Sequence, residues 1–216
     1  MIESQLKIDL HVHTDDSSDS TISLNEVVAY ARIRGLDGVA ITNHDSTYGA
    51  LELAERAPEL IVISGVEVST SGGHVIALNA TRPITANLSP SETIQEIHEA
   101  GGIAVAAHPT TVYKGMGRHV NGGFDAIEVV NASAFPFFLS TRLSQRLAVR
   151  LGLPQTGGSD AHHASEIGSA YTLVDATPDV DSIVRAIKQN KTAPIGQPIK
   201  WRQRFERGWL GLKRRF

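Results

Sequence analysis

The sequence predicts an α/β fold in which about seven parallel strands, covered by helices, close into a barrel or curl into a strongly bent sheet. Three observations carry this. Short apolar runs alternate with helical patterns along most of the chain, the alternation that builds parallel strands with helices outside. Several helical segments open on capping signals or stop at glycine, so their ends are marked independently of their apolar spacing. The chain has 216 residues, enough for one sizeable core.

The elements follow in order. Leu6 to Val12 reads as a strand. Ser23-Leu24-Asn25-Glu26 is a capping box opening a helix through Val27, Val28, Tyr30 and Ala31, which Gly35 ends. Val39–Thr42 is a second strand, and Tyr48–Arg56 is helical and stops before Pro58. Leu60–Val68 and Val75–Leu78 are strands joined through Gly72-Gly73. Ser89-Pro90-Ser91-Glu92 is a second capping box, with proline at the first helical position; its helix runs to Ala100 and stops at Gly101-Gly102. Ile103–Ala107 and Ala126–Val130 are strands, then a helix is expected from about Leu139 to Leu151. Gln155–Ser159 and Tyr171–Val174 are short strands, and a helix over Val180–Gln189 follows Thr177-Pro178. Residues 1–199 read as one domain. Residues 200–216 read as an appended tail, with seven basic residues among Trp201, Phe205, Trp209, Leu210, Leu212 and Phe216.

Composition narrows the function. Net charge is −3, which gives the whole chain no strong pull on nucleic acid. With no cysteine, disulfides, thiolate metal sites and a cysteine nucleophile are excluded. Met1–Gln5 lacks a basic stretch followed by an apolar run, and no apolar run approaches the roughly 20 residues of a membrane span. A soluble cytoplasmic protein is expected. Its oligomeric state is left open.

The histidines and carboxylates stand mostly at the ends of the expected strands, the edge that hosts active sites in parallel α/β folds. Asp9, His11 and His13 alternate along the first strand and so share one face, with Asp9 placed to orient an imidazole. His44 follows the second strand in Asn43-His44-Asp45. Glu67 lies inside an apolar strand, where a carboxylate is costly unless paired or bound to metal. His74 follows Gly72-Gly73, His108 precedes Pro109 at a strand end, and Asp160 and His162 close a glycine-rich strand. Asp19 lies in the loop after the first strand; Asp15 and Asp16 read as a polar turn, and His98, His119 and His163 as bystanders. A sulfur-free set of imidazoles and carboxylates suits Zn²⁺, Mn²⁺ or Fe²⁺ without choosing among them.

Asp9-Leu10-His11-Val12-His13, Thr42-Asn43-His44-Asp45, Gly65-Val66-Glu67, Gly73-His74, Ala107-His108-Pro109 and Ser159-Asp160-Ala161-His162 together resemble the PHP (polymerase and histidinol phosphatase) family, over about residues 7–175. The resemblance implies a distorted (β/α)7 barrel with two or three divalent metals at the C-terminal ends of the strands. One metal would take His11, His13, Glu67 and Asp160. A second would share Glu67 and take His74 and His108. A third would take Asp19, His44 and His162. The implied activity is hydrolysis of a phosphate ester by a metal-activated hydroxide, with His162 or His44 protonating the leaving group. Lys114 and Arg118, on the long loop after His108-Pro109, are candidates to hold phosphate. The expected substrate is a small phosphorylated metabolite or an (oligo)nucleotide, and the tail offers a possible contact to nucleic acid. Two other readings stand beside this one. One is a non-catalytic metal-binding module. The other is a metal-dependent amide or lactone hydrolase, although the bridging lysine usual there has no counterpart between Lys7 and Lys114.

Overall fold

The computed structural model describes residues 5–112 and 114–204. Its strands are β1 (Leu6–Val12), β2 (Gly38–Ile41), β3 (Ile61–Thr70), β4 (Gly73–Leu78), β5 (Ile103–Ala106), β6 (Ala126–Asn131), β7 (Gln155–Gly158), β8 (Ala170–Val174) and β9 (Thr192–Gly196). The helices are α1 (Leu24–Arg34), α2 (Ala50–Arg56), α3 (Pro90–Glu99), α4 (Phe137–Leu151) and α5 (Val180–Lys188). All nine strands form one sheet in the order β7-β6-β5-β4-β3-β2-β1-β8-β9. The sheet curls until its ends nearly meet: Thr172 Oγ1, on β8, donates to Gly157 O and accepts from Gly157 N, and Thr192 Oγ1, on β9, donates to Gln155 O.

The α/β barrel expected above is therefore present, with two corrections. The strands are not all parallel: β4 is antiparallel to β3 and β5, and β8 to β1 and β9. Their connections explain this. Only Ser71 and Gly72 separate β3 from β4, and a turn that short joins antiparallel neighbours. Between β7 and β8 there is a 3-10 turn, Ala164–Glu166, but no crossover helix. The second correction is β9, which the sequence pattern does not announce because Pro194 and Gly196 interrupt it. It is an edge strand, where proline is tolerated.

Both capping boxes form. Ser23 Oγ accepts from Glu26 N, and Glu26 Oε2 accepts from Ser23 N at 2.9 Å; Ser89 and Glu92 repeat the pattern, with Pro90 beginning α3. Gly35 ends α1 with φ 61°, a conformation glycine adopts without a Cβ clash. The helix α4 begins two residues earlier than expected, at Phe137.

Alternation along the strands divides the barrel into an apolar floor and a polar mouth. Ile8, Ala40, Ile63, Ile76 and Ala126 pack in one cluster with Ile183 and Ile187 of α5. Two or four residues from three of these, on the same strand faces, stand His74, Glu67 and Glu128. Outside, Val27, Ala31 and Leu53 of α1 and α2 pack with Val39 and Ile41, while Ile94, Ile97, Leu147 and Ala148 of α3 and α4 pack with Val75, Ala104 and Ile127. Among the described residues, no helix is long and apolar enough to cross a membrane.

Candidate metal centre

Every ligand expected from the sequence except Asp19, in a loop, and Glu67, inside β3, comes from a strand end or the residues just beyond one. His74 is the instructive case. It lies at the start of its strand, but β4 runs against its neighbours, so its first residues reach the same rim as their last ones.

Glu67 is the hub. Its Oε2 lies 3.3 Å from His11 Nε2, 3.2 Å from His13 Nε2 and 3.2 Å from His44 Nδ1. Its Oε1 lies 2.7 Å from His74 Nδ1 and 2.9 Å from His108 Nε2. One side chain, 1% exposed, thus touches five imidazoles. Asp160 Oδ1 stands 3.7 Å from His11 Nε2 and 3.5 Å from His13 Nε2. Asp19 Oδ2 lies 3.2 Å from His162 Nε2 and 3.5 Å from His44 Nε2, so the loop after β1 does reach the cluster. Three overlapping groups bring their donor atoms within 4.8 Å of one another: His11, His13, Glu67 and Asp160; His44, Glu67 and His74; and His13, His44 and His162.

The hydrogen bonds made by the outer ring nitrogens show why this arrangement fits a cation. His11 Nδ1 pairs with Glu128 Oε1 at 2.9 Å, His13 Nδ1 with Ser17 Oγ at 3.3 Å, and His162 Nδ1 with the carbonyl of Asp160 at 3.0 Å. When those nitrogens donate, each neutral ring turns a bare Nε2 lone pair inward. His11 Nε2 and His13 Nε2 then stand 3.1 Å apart and face two carboxylate oxygens. Lone pairs so close are mutually repulsive until a cation or a proton lies among them. The buried Nε2 of His74 has no hydrogen-bond partner. The residues present therefore suit divalent metal ions.

Electrostatics agree. Burial alone would push the Glu67 carboxyl up, but the His11 charge and hydrogen bonds from His108, His11 and His13 outweigh it and hold it well below its ordinary value. Burial likewise raises Asp160 less than His11, His13 and His162 lower it. Burial disfavours charged His11, yet Glu128, Glu67 and Asp160 raise its pKa well above the ordinary value; His44 and His108 are raised against the same burial, chiefly by Asp19 and Glu67 respectively. Without a cation, then, imidazole protons balance the carboxylates. Raised imidazole pKa values contribute stability that is lost as pH rises through them, and depressed carboxyl values contribute stability that is lost as pH falls through them. Metal must displace those imidazole protons. Loading is therefore expected to release protons and to tighten as pH rises through the raised imidazole values, above the ordinary histidine range. Titration calorimetry in buffers of different ionisation enthalpy checks this; a buffer-independent heat would contradict it.

Asp9 does not orient an imidazole. The register of β1 against β2 slips between Asp9 and Val12, and the Asp9 carboxylate accepts instead from the backbone N–H of Ser159 at 2.8 Å, Gly168 at 2.9 Å and His11 at 3.3 Å. Burial pushes its pKa up to about 6 even against those bonds. The orienting carboxylate is Glu128, which also accepts from His108 N and from Asn131 Nδ2. Asn131 Nδ2 extends to Asp160 Oδ2 at 3.2 Å, tying two parts of the centre together. Neither residue was nominated from sequence, although Glu128 carries the signal that marked Glu67, a carboxylate inside the apolar strand Ala126–Val130. His98 pairs with Asp125 at 2.7 Å, and His163 caps the 3-10 turn, so both are bystanders to the cluster.

The centre opens into a cleft of about 340 Å³, with Lys114, Thr111, Val112 and Phe135 on its walls. Lys114, one of the two candidates to hold phosphate, is among its lining residues. The backbone of Arg118 lies in the 3-10 turn Gly117–His119, and its side chain lies outside the described residues. Asp160 and His108 have positive φ, 53° and 29°. For His108, which precedes a proline and would ordinarily be extended, that is a strained conformation.

Comparison with known proteins agrees with this geometry. Residues 9–116 match the PHP domain and residues 139–192 the PHP-associated model. An uncharacterized protein of Methanocaldococcus jannaschii is 34% identical over 141 residues, 59% of this chain and 82% of that protein. A "Probable phosphatase" of Syntrophotalea carbinolica is 26% identical over 206 residues, 79% of this chain and 86% of that one. The fold is shared, at TM-score 0.75 and 17% identity, with a two-domain Bacteroides vulgatus protein described as containing a predicted PHP-like metal-dependent phosphoesterase; the match covers 90% of this chain and 65% of that one. With half its length matched by the domain model and its histidines and carboxylates gathered at one rim, the chain belongs to the PHP family.

Proposed function

We propose that the protein hydrolyses phosphate esters of a small phosphorylated metabolite or an (oligo)nucleotide, using two or three divalent ions, Mn²⁺, Zn²⁺ or Fe²⁺. The observation that carries this reading is the Glu67 carboxylate shared among five imidazoles, with Asp160 beside two of them. His11, His13, Glu67 and Asp160 would hold one ion. Glu67, His74 and His108 would hold a second, and Asp19, His44 and His162 a third. Bound there, the ions supply an acidified water and positive charge for the phosphate oxygens.

The remaining steps belong to the chain. Glu128 and Ser17 hold the rings of His11 and His13 with their lone pairs inward. Lys114, on the cleft wall, supplies a cation for the phosphate, and Arg118 on the same loop is a second candidate. His44 and His162 have two roles open to them. With three ions they are ligands; with two, they form with Asp19 a set able to hand a proton to the leaving oxygen. His44 is the better placed for that, being partly exposed to the cleft with its pKa raised.

Elemental analysis of purified protein gives the metal count. Phosphate release from p-nitrophenyl phosphate and bis-p-nitrophenyl phosphate with each metal tests the reaction and separates monoesterase from diesterase. Bound metal with no turnover on any phosphate ester would favour the non-catalytic module instead.

A further inference from the structure

Next to the metal centre the cleft has a wall of different chemistry. Val112, Ala134 and Phe135 line it together with the ligands. Among the described residues lining the cleft, Phe135 is the single carbocyclic ring, and it is 58% exposed. Phosphate itself has no use for such a surface; Val112, 93% exposed, and Ala134 make with Phe135 a stretch of apolar wall beside a polar centre. The ring is also held in place. Trp201 packs edge-on against it, with centroids 5.9 Å apart and an interplanar angle of 69°. The Arg204 guanidinium lies 5.7 Å from its centroid and donates to the carbonyls of Ser133 and Ala134. Ser133 Oγ donates in turn to the backbone oxygen of Asp160 at 2.9 Å, which fixes the distance between this wall and the metal centre.

We infer that Phe135 is the platform of a second subsite that binds a flat aromatic ring carried by the phosphate ester, so that the enzyme prefers esters bearing a planar heterocycle over aliphatic sugar phosphates. Stacking supplies the reason: a fixed aromatic face attracts any planar π-system and tolerates its substituents. The cleft volume is at the small end of ligand sites, about 300–1,000 Å³, which suits one phosphate and one ring system. The inference rests on the phosphoesterase reading for its substrate, but its test can be scored without turnover.

The test compares adenosine 5′-monophosphate with ribose 5-phosphate, which share everything but the base. Binding of their non-hydrolysable phosphonate analogues to the metal-loaded protein is measured by calorimetry, and phosphate release from the natural esters is followed in parallel. Wild type is expected to bind the adenosine compound about ten-fold more tightly. Phe135→Ala should remove that advantage and leave ribose phosphonate binding and metal content unchanged; Phe135→Trp should keep it. Equal binding of the two analogues by wild type would overturn the subsite, as would an advantage that survives Phe135→Ala. An advantage retained in Phe135→Leu would overturn the requirement for an aromatic ring. Hydrolysis of ribose 5-phosphate without a base preference leaves the phosphoesterase reading intact and sinks this one. Phe135-dependent binding without hydrolysis of either ester does the reverse.

Discussion

Glu67→Gln is expected to cost the protein metal and phosphoesterase activity together. Both carboxylate oxygens are engaged, Oε2 with His11, His13 and His44 and Oε1 with His74 and His108. An amide keeps the shape but replaces one oxygen by an NH₂ group, which turns hydrogens toward nitrogens that must present lone pairs. It also removes the charge shared between two of the proposed ion positions. Loss of a group that merely orients a ligand costs about 10–100-fold; loss of the shared ligand should exceed about 100-fold in kcat/KM, with at least one ion lost by elemental analysis. The variant should remain folded, since the apolar floor of the barrel does not touch this oxygen. Full metal content with full activity in Glu67→Gln would refute the centre as drawn.

The second large effect is expected at a residue with no side chain. A Cβ on Gly158 would land on the Cβ of His11, 2.8 Å from the His11 backbone nitrogen and 3.0 Å from Glu128 Oε1. It would press on both members of the His11–Glu128 pair. Neither backbone nor buried carboxylate can move aside cheaply, so β7 or β1 must shift. Overpacking of this kind costs about 1–3 kcal/mol, which at about 2–4 °C per kcal/mol for a chain of this size lowers Tm by roughly 2–12 °C. Because the displaced atoms hold a metal-facing imidazole, metal affinity should fall as well. Differential scanning calorimetry with and without metal measures both; an unchanged Tm for Gly158→Ala would show that the strands are looser than they are drawn.

The residues that touch metal-facing atoms were legible in the sequence, and those that hold them in place were less so. Imidazoles and carboxylates at strand ends are chemically loud: His11, His13, Glu67 and Asp160, the set that the family resemblance implies for one metal, bring their donor atoms within 4.8 Å of one another. Even Asp19, in a loop with two other aspartates nearby, stands within 3.5 Å of two histidines. Glu128 is less plain because the apolar run Ala126–Val130 around it marks a strand end to end and hides the one carboxylate inside it. Strict alternation puts Asp9 on the face of His11, and no local signal marks the slip of register between Asp9 and Val12 that sends it to other partners. The direction of β4 was written in the two-residue turn before it. That of β8 was not, because 11 residues, Ser159–Ser169, separate it from β7. The wall formed by Phe135 left no trace in the pattern, since it depends on Trp201 and Arg204 returning from the end of the described chain.

His11 and His162 are about 150 residues apart in the chain, yet each lies within 4.8 Å of His13 through its donor atom. The segment matched by the PHP domain, 9–116, contains seven of the nine nominated ligands; Asp160 and His162 fall in the segment 139–192. An ion held by both sets, as proposed above, would act as a removable cross-link between two stretches of sequence. It would close a loop of some 150 residues on binding and stabilise only the chain in which both stretches are present and folded. At a free metal concentration 100 times its Kd such a cross-link adds about 2.7 kcal/mol. Chelation should then loosen the barrel where Asp160 and Ala161, just past β7, hydrogen-bond to His11 and His13, and a fragment ending near residue 116 should have neither that contact nor the complete centre.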